Sequence, residues 1–99
     1  MTINKDSNGD ALNIALSGRL DTTTAPELEE ELKSSLDGVK ELSFDFAELA
    51  YISSAGLRVL LSAQKLMNKA GGNMKIKGAN EEIKEIFEVT GFNDILNIE

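Results

Sequence analysis

The stretch Ala50-Tyr51-Ile52-Ser53-Ser54-Ala55-Gly56-Leu57-Arg58-Val59-Leu60-Leu61 decides the fold, because it predicts a strand that passes directly into a helix. Leu42, Phe44 and Phe46 alternate before it as in a half-buried strand, and helical spacing of apolar residues follows it. Its two serines therefore fall at a helix N-terminus, where free backbone N–H groups favour an anion. The simplest interpretation is that one serine caps the helix. The alternative is that one of them accepts a phosphate.

Strands and helices alternate on both sides of this stretch. Residues 2–5 and 10–17 predict a hairpin around Asn8-Gly9, a dipeptide suited to a turn with two positive φ angles. Further strands are predicted at 41–46 and 74–77, and helices end near residues 36, 70 and 91. Strands joined by helices pair in parallel, and clean apolar–polar alternation places most helices on one face. The predicted fold is α/β, with a mostly parallel sheet of four to five strands and an N-terminal antiparallel hairpin.

The first predicted helix carries the pattern of a capping box. Thr24 is the expected N-cap, Glu27 follows three residues later, and Pro26 is tolerated in the first turn. Four glutamates at positions 27, 29, 30 and 31 favour a solvated face over a metal site, since consecutive helical positions diverge.

The composition excludes some classes of function and indicates the kind of partner. The 99 residues suit one domain, and the absence of histidine excludes a Ser/His/Asp hydrolase and removes the commonest metal ligand. Seventeen acidic against ten basic residues give a net charge of −7, which predicts a protein partner and neither nucleic acid nor an anionic membrane. The polar N-terminus and the lack of a long apolar run predict a cytoplasmic protein.

The helix after the serines predicts a surface for a protein partner. Its core-facing arc is expected to contain Val59, Leu60, Ala63, Leu66, Met67 and Ala70. Leu57 and Leu61 lie beside the polar stripe and form either an exposed ridge or a pair covered by a neighbouring segment. An exposed ridge would join Ser53, Ser54 and Gly56, flanked by Arg58, in one binding surface. Gly56 would let the partner approach the backbone closely.

Over nearly its full length the chain resembles the STAS family, specifically the bacterial anti-sigma factor antagonists. The matching features are Gly18-Arg19-Leu20-Asp21, the strand at 42–46, Ile52-Ser53-Ser54-Ala55-Gly56-Leu57, and Gly71-Gly72 before the next strand. In that family the loop usually contains an aspartate before the phosphorylated serine, followed by a small residue, glycine and leucine. The resemblance thus places the phosphate on Ser54 and puts Ser53 where the aspartate stands, which makes Ser53 a second possible acceptor.

The resemblance implies a single STAS domain over residues 1–99 that is a regulator and not an enzyme. The unphosphorylated form would bind an anti-sigma factor with serine kinase activity and so free a sigma factor. Phosphorylation of Ser54 would end this binding, and a serine phosphatase would restore it. ATP and magnesium would belong to the kinase, so no cofactor is expected here. Asp21 matches an acidic family position and is expected either to contact the partner or to stabilise its turn.

Three other functions remain open from the sequence. The chain fits a partner-switch protein with an output other than a sigma factor. It also fits a module that senses a small molecule or nucleotide beyond the carboxyl ends of its strands. An enzyme with Ser54 as nucleophile would need an unusual base such as Lys65.

Overall fold

The computed structural model describes residues 1–99 and contains five strands and three helices. In chain order they are β1 (Thr2–Asn8), β2 (Ala11–Leu20), α1 (Ala25–Ser35), β3 (Glu41–Ile52), α2 (Ser54–Lys69), β4 (Asn73–Lys77), α3 (Glu81–Thr90) and β5 (Asn97–Ile98), with a 3-10 turn at Phe92–Asp94. None of these helices combines the length and the apolar character needed to cross a membrane.

All five strands form one sheet in the order β1-β2-β3-β4-β5. β1 is antiparallel to β2, and every other neighbouring pair is parallel. The predicted fold class, a mostly parallel α/β sheet with an N-terminal antiparallel hairpin, is confirmed.

The helices cover one face of the sheet. Alternate residues of β2 and β3 are buried in register, with Leu12 beside Leu42 and Ile14 beside Phe44. They belong to one cluster of 24 buried residues to which all three helices contribute. The intervening residues face the other way, and there the Ser43 hydroxyl donates a hydrogen bond of 2.8 Å to Asn13 Oδ1. The sheet therefore keeps a polar face opposite the core.

The hairpin turn lies one residue later than its sequence predicts. Asn8 pairs with Ala11, so the two loop residues are Gly9 and Asp10, and Gly9 alone has a positive φ, of 64°. A positive φ at only the first loop residue is the type II′ pattern, which glycine there satisfies. The predicted turn with positive angles at both Asn8 and Gly9 is therefore wrong.

β3 runs six residues beyond its predicted end. Its pairing with β2 shifts register between Ala15 and Ser17, which pair with Asp45 and Glu48. The extra residue on β3 breaks the strict alternation after Phe46, which hid the second half of the strand from a period-two pattern. This second half ends at Ile52, beside the end of β2, and the two serines follow it directly.

Candidate functional site

Ser53 and Ser54 lie where the central strand β3 passes into α2. The Ser53 N–H donates a hydrogen bond of 2.9 Å to the carbonyl of Leu20, which continues the pairing of the two strand ends. The Ser53 carbonyl then accepts the N–H of Leu57 at 3.0 Å, which begins the helix. Ser53 is thus the N-cap residue, and Ser54 is the first residue of α2. The predicted strand-to-helix passage is present.

The two serine side chains differ in their access to solvent. Ser54 is exposed. The Ser53 hydroxyl oxygen has less than 1 Å² exposed and no hydrogen-bond partner, and it makes no capping bond to the helix. Solvent therefore reaches the Ser54 residue, whereas it does not reach the Ser53 oxygen.

Gly56 is buried and packs against the core of the domain. A Cβ at this position would lie 2.7 Å from Leu20 Cγ and 2.8 Å from Ile52 Cγ1, both in buried side chains. The missing side chain therefore allows α2 to approach the ends of β2 and β3. The expectation that Gly56 offers its backbone to a partner is wrong, because the space is filled by the chain's own core.

Of the two alternatives for Leu57 and Leu61, the exposed ridge is not present, and only Leu57 is fully covered. Leu57 is 6% exposed and belongs to the core, while Leu61 is half-buried at the surface. Conversely, Leu66 was expected in the core and is 44% exposed. At 100° per residue Leu57 and Leu66 lie on opposite flanks of the core-facing side, about 90° from its centre. Burial at such flanking positions depends on neighbouring elements, which the periodicity of one helix does not reveal.

The outward side of α2 carries a stripe defined by Ser54, Arg58, Leu61 and Lys65, which we call the outer stripe. These residues are spaced at i, i+4, i+7 and i+11 and therefore share one face of the helix. Two cations flank Leu61 along this face. Three of its residues, Ser54, Arg58 and Leu61, are predicted partner-binding residues, and the structure adds Lys65 to them.

A groove of about 460 Å³ separates the outer stripe from the first turns of α1. Arg58, Leu61 and Lys65 line one side of it. Thr22, Pro26 and Glu29 line the other. The sequence does not indicate the α1 side of this groove, because no local pattern shows which helices pack side by side.

Asp21 organises the loop that leads from β2 into α1. Its Oδ1 accepts hydrogen bonds from the Thr23 hydroxyl at 2.8 Å and from the backbone N–H groups of Thr23 and Thr24 at 3.0 and 3.2 Å. The bond from the Thr23 hydroxyl is the largest cause that lowers the pKa of Asp21, partial burial opposes it, and the backbone bonds add to the lowering. The predicted turn-stabilising role of Asp21 is confirmed, while its contact with a partner stays a prediction.

Thr24 is the N-cap residue of α1 as predicted, but the hydrogen bonds of the predicted capping box are absent. The Thr24 hydroxyl donates to the carbonyl of Arg19 at 2.9 Å and accepts the Asp21 N–H at 2.8 Å, and it makes no capping bond to α1. Its partners lie before the helix because the loop folds back on the end of β2. The backbone carbonyl of Asp21 accepts the N–H of Ala25 at 2.8 Å, and the carbonyl of Thr24 accepts the N–H of Leu28 at 3.3 Å.

Arg19 lies at the end of β2 near the serines, but its side chain is on the face of the sheet opposite α2. Its guanidinium carbon is 4.3 Å from the centre of the Tyr51 ring, a cation–π contact, and its Nε is 3.7 Å from Asp21 Oδ2. Leu20 and Ile52 are buried under α2, so their strand neighbours Arg19 and Tyr51 face away from it. The Arg19 side chain thus lies on the polar face of the sheet.

Charge is unevenly distributed between α2 and the other elements. α2 contains three of the ten basic residues, Arg58, Lys65 and Lys69, and none of the seventeen acidic ones. The remainder of the chain holds the other seven basic residues and all seventeen acidic ones. The serine site therefore lies at the start of a basic helix on an acidic molecule.

Comparison with known proteins yields one consistent family. The model of the STAS domain matches residues 2–99. The anti-sigma-B factor antagonist of Bacillus subtilis is 30% identical over 100 residues, which cover 99% of this chain and 92% of that protein.

Solved structures show the same fold at low sequence identity. The anti-sigma factor antagonist SpoIIAA in its unphosphorylated form superposes with a TM-score of 0.79 at 13% identity and covers 99% of this chain and 87% of that one. The Bacillus cell fate determinant SpoIIAA in the phosphorylated form gives 0.78 at 14% identity and covers 99% and 91%. These structures share the fold, and the family match over residues 2–99 together with the 30% identical relative establishes that the chain belongs to the STAS domain family.

Proposed function

We propose that this STAS domain is an anti-sigma factor antagonist whose binding is switched by phosphorylation of Ser54. In its unphosphorylated form it binds an anti-sigma factor that is also a serine kinase, and the sigma factor is released. The kinase phosphorylates Ser54 and ends the interaction, and a serine phosphatase regenerates the binding form. Its relative in Bacillus subtilis is named for antagonism of an anti-sigma factor, and a structural neighbour has been solved in a phosphorylated form.

The difference in exposure between the two serines carries the choice of Ser54. Its side chain is exposed at the first position of α2, whereas the Ser53 oxygen has less than 1 Å² exposed. A kinase must bring its phosphate donor in line with the attacking hydroxyl, which requires an accessible oxygen. This favours Ser54 over Ser53 as the acceptor.

The switch acts on the surface and leaves the fold intact. A phosphate brings about 1.5 to 2 negative charges, and at a helix N-terminus such charge stabilises by about 0.3–1 kcal/mol. The same strongly hydrated group beside Arg58 and Leu61 would have to be desolvated in a complex. Binding is therefore weakened while α2 is retained.

The test uses the purified chain with an anti-sigma factor kinase of its own organism, ATP and magnesium. Phosphopeptide mass spectrometry should place one phosphate on Ser54 in the wild type and in Ser53→Ala, and none in Ser54→Ala. Affinity for the kinase should be retained in Ser54→Ala and strongly reduced in Ser54→Asp. Equal phosphorylation of Ser54→Ala and the wild type, or an unchanged affinity of Ser54→Asp, would contradict the proposal.

A further inference from the structure

The outer stripe places a cation one helical turn from the proposed phosphate acceptor. Ser54 and Arg58 are at positions i and i+4 of α2, and both are exposed. Side chains at this spacing are neighbours, with about 5–6 Å between their Cβ atoms. An anion that precedes a cation at i, i+4 is also the more favourable order along a helix, since it agrees with the helix dipole.

Arg58 has no acidic partner in the structure. The two ion pairs are those of Lys5 with Glu31 and of Arg19 with Asp21, and α2 itself contains no carboxylate. Glu29 lies across the groove from Arg58 without forming an ion pair with it. The Arg58 guanidinium, with five N–H donors in a planar fork suited to phosphate, is therefore free.

Other cations near Ser54 are less well placed. Arg19 is held between Tyr51 and Asp21 on the opposite face of the sheet. Lys65 shares the outer stripe but lies eleven residues beyond Ser54, which is about 16 Å along a helix and beyond the screening length at physiological salt.

We propose that Arg58 is the intramolecular counter-ion of a phosphate on Ser54. The guanidinium donates charge-assisted hydrogen bonds to the phosphate oxygens along the outer stripe. Phosphorylation then alters two sites of the partner surface, because it adds a hydrated anion at Ser54 and also withdraws Arg58 from any partner. This inference rests on the proposed function for the occurrence of the phosphate, and on the i, i+4 geometry of α2 for its partner.

The test measures the second ionisation of the phosphate on protein that carries phosphoserine at position 54 by genetic encoding. Phosphorus NMR as a function of pH gives this pKa for the wild type, Arg58→Ala, Arg58→Lys and the matched control Lys65→Ala. A cation beside the phosphate stabilises its dianion, so loss of Arg58 should raise the pKa by about 0.2–0.4 unit. Arg58→Lys should keep most of the wild-type value, and Lys65→Ala should match the wild type.

Arg19→Ala completes the set, since Arg19 and Asp21 are the charged groups at the adjacent strand end. An Arg58→Ala value equal to that of Lys65→Ala, or a larger shift in Arg19→Ala, would overturn the assignment of Arg58. Because the phosphoserine is installed without a kinase, this result does not depend on natural phosphorylation. Absence of phosphate on Ser54 after kinase treatment would contradict the proposed function and leave the measured pairing unaffected.

Discussion

Gly56 is the residue at which α2 and the sheet come closest, and its lack of a side chain has a measurable consequence. In an exposed helix, glycine to alanine stabilises by about 1 kcal/mol. Here the added Cβ would meet Leu20 and Ile52 within 2.8 Å. We expect Gly56→Ala to lower the free energy of unfolding by about 1–3 kcal/mol in urea denaturation.

The matched control for this substitution is Ser62→Ala, at an exposed position of the same helix. It should change stability by no more than about 0.5 kcal/mol. If Gly56→Ala were as stable as the wild type, the contact of α2 with the strand ends would have to be looser than the structure has it.

Asp21 predicts a specific pH dependence of stability. Its pKa is lowered in the folded state, chiefly by the hydrogen bond from Thr23, so its charged form favours folding. This contribution is present above the unfolded pKa of about 3.9 and is lost as pH falls through the lower folded pKa. We therefore expect the stability difference between wild type and Asp21→Asn to be constant above about pH 5 and to shrink toward pH 2.

Chemical denaturation of both proteins between pH 2 and pH 7 checks this expectation. Taking the difference in stability between wild type and Asp21→Asn removes the effect of the other carboxylates, which titrate in both proteins. A difference that grows on acidification would mean that the charge of Asp21 opposes folding.

Individual residues of the site could be predicted only where their role is local. The sequence identified Ser53, Ser54 and Asp21 as a loop and helix start, because turn and capping preferences act over a few residues. It failed for the Thr24 hydroxyl, which bonds back to Arg19 and Asp21 within its own loop and not to the helix. It also failed for Gly56, because Leu20, which limits the space there, lies on a different strand. Contacts across the fold leave no trace in local spacing.

At the scale of elements, two helix N-termini of this chain offer a direct comparison. Asn80 caps α3, since its Oδ1 accepts the Ile83 N–H at 2.8 Å and its Nδ2 donates to Leu49 at 3.2 Å. Ser53 begins α2 with a buried hydroxyl that bonds to nothing. We expect Asn80→Ala to destabilise by about 1–2 kcal/mol and Ser53→Ala to change stability by less than about 0.5 kcal/mol.

Thermal and urea unfolding of Asn80→Ala and Ser53→Ala test these two expected changes in stability. A loss of 1 kcal/mol or more in Ser53→Ala would show that its hydroxyl finds a partner in solution. The control within α3 is Glu85→Ala, an exposed position outside the helix cap.

Two adjacent leucines of α2 differ in burial. Leu60 is fully buried, and Leu61 is half-buried in the outer stripe. Truncating Leu60 to alanine should destabilise by about 2–5 kcal/mol. Leu61→Ala should cost less than about 1 kcal/mol in stability but weaken the proposed complex with an anti-sigma factor kinase.

Calorimetric binding and denaturation of Leu61→Ala distinguish the two roles. A stability loss as large as that of Leu60→Ala would place Leu61 in the core. Unchanged affinity with unchanged stability would remove it from the binding surface.

The whole molecule is expected to keep its fold when Ser54 is phosphorylated. Ser54 is exposed at a helix N-terminus, which favours an anion, and it is not one of the 24 core residues. Amide NMR shifts of protein with phosphoserine at 54 should therefore change in the first turns of α2 and in the loop from Arg19 to Thr22. Signals of β5 should stay in place, and shifts spread through the sheet would indicate a change of fold.

The overall architecture could be predicted more fully than the details of the site. Period-two alternation and the predicted helix ends near Gly71 and Gly91 indicated the order of elements and the single covered face. The second half of β3 was missed because a register shift interrupts its alternation. The groove beside the outer stripe was missed because it depends on the packing of α1 against α2.

The sequential order of the five strands also bears on how the molecule is made. Each strand from β2 onward pairs with the one synthesised just before it, so none has to insert between two strands already joined. The sheet can thus grow from one edge as the chain leaves the ribosome. Ser54 follows the third strand, so its helix can dock on β2 and β3 before the last two strands have been translated.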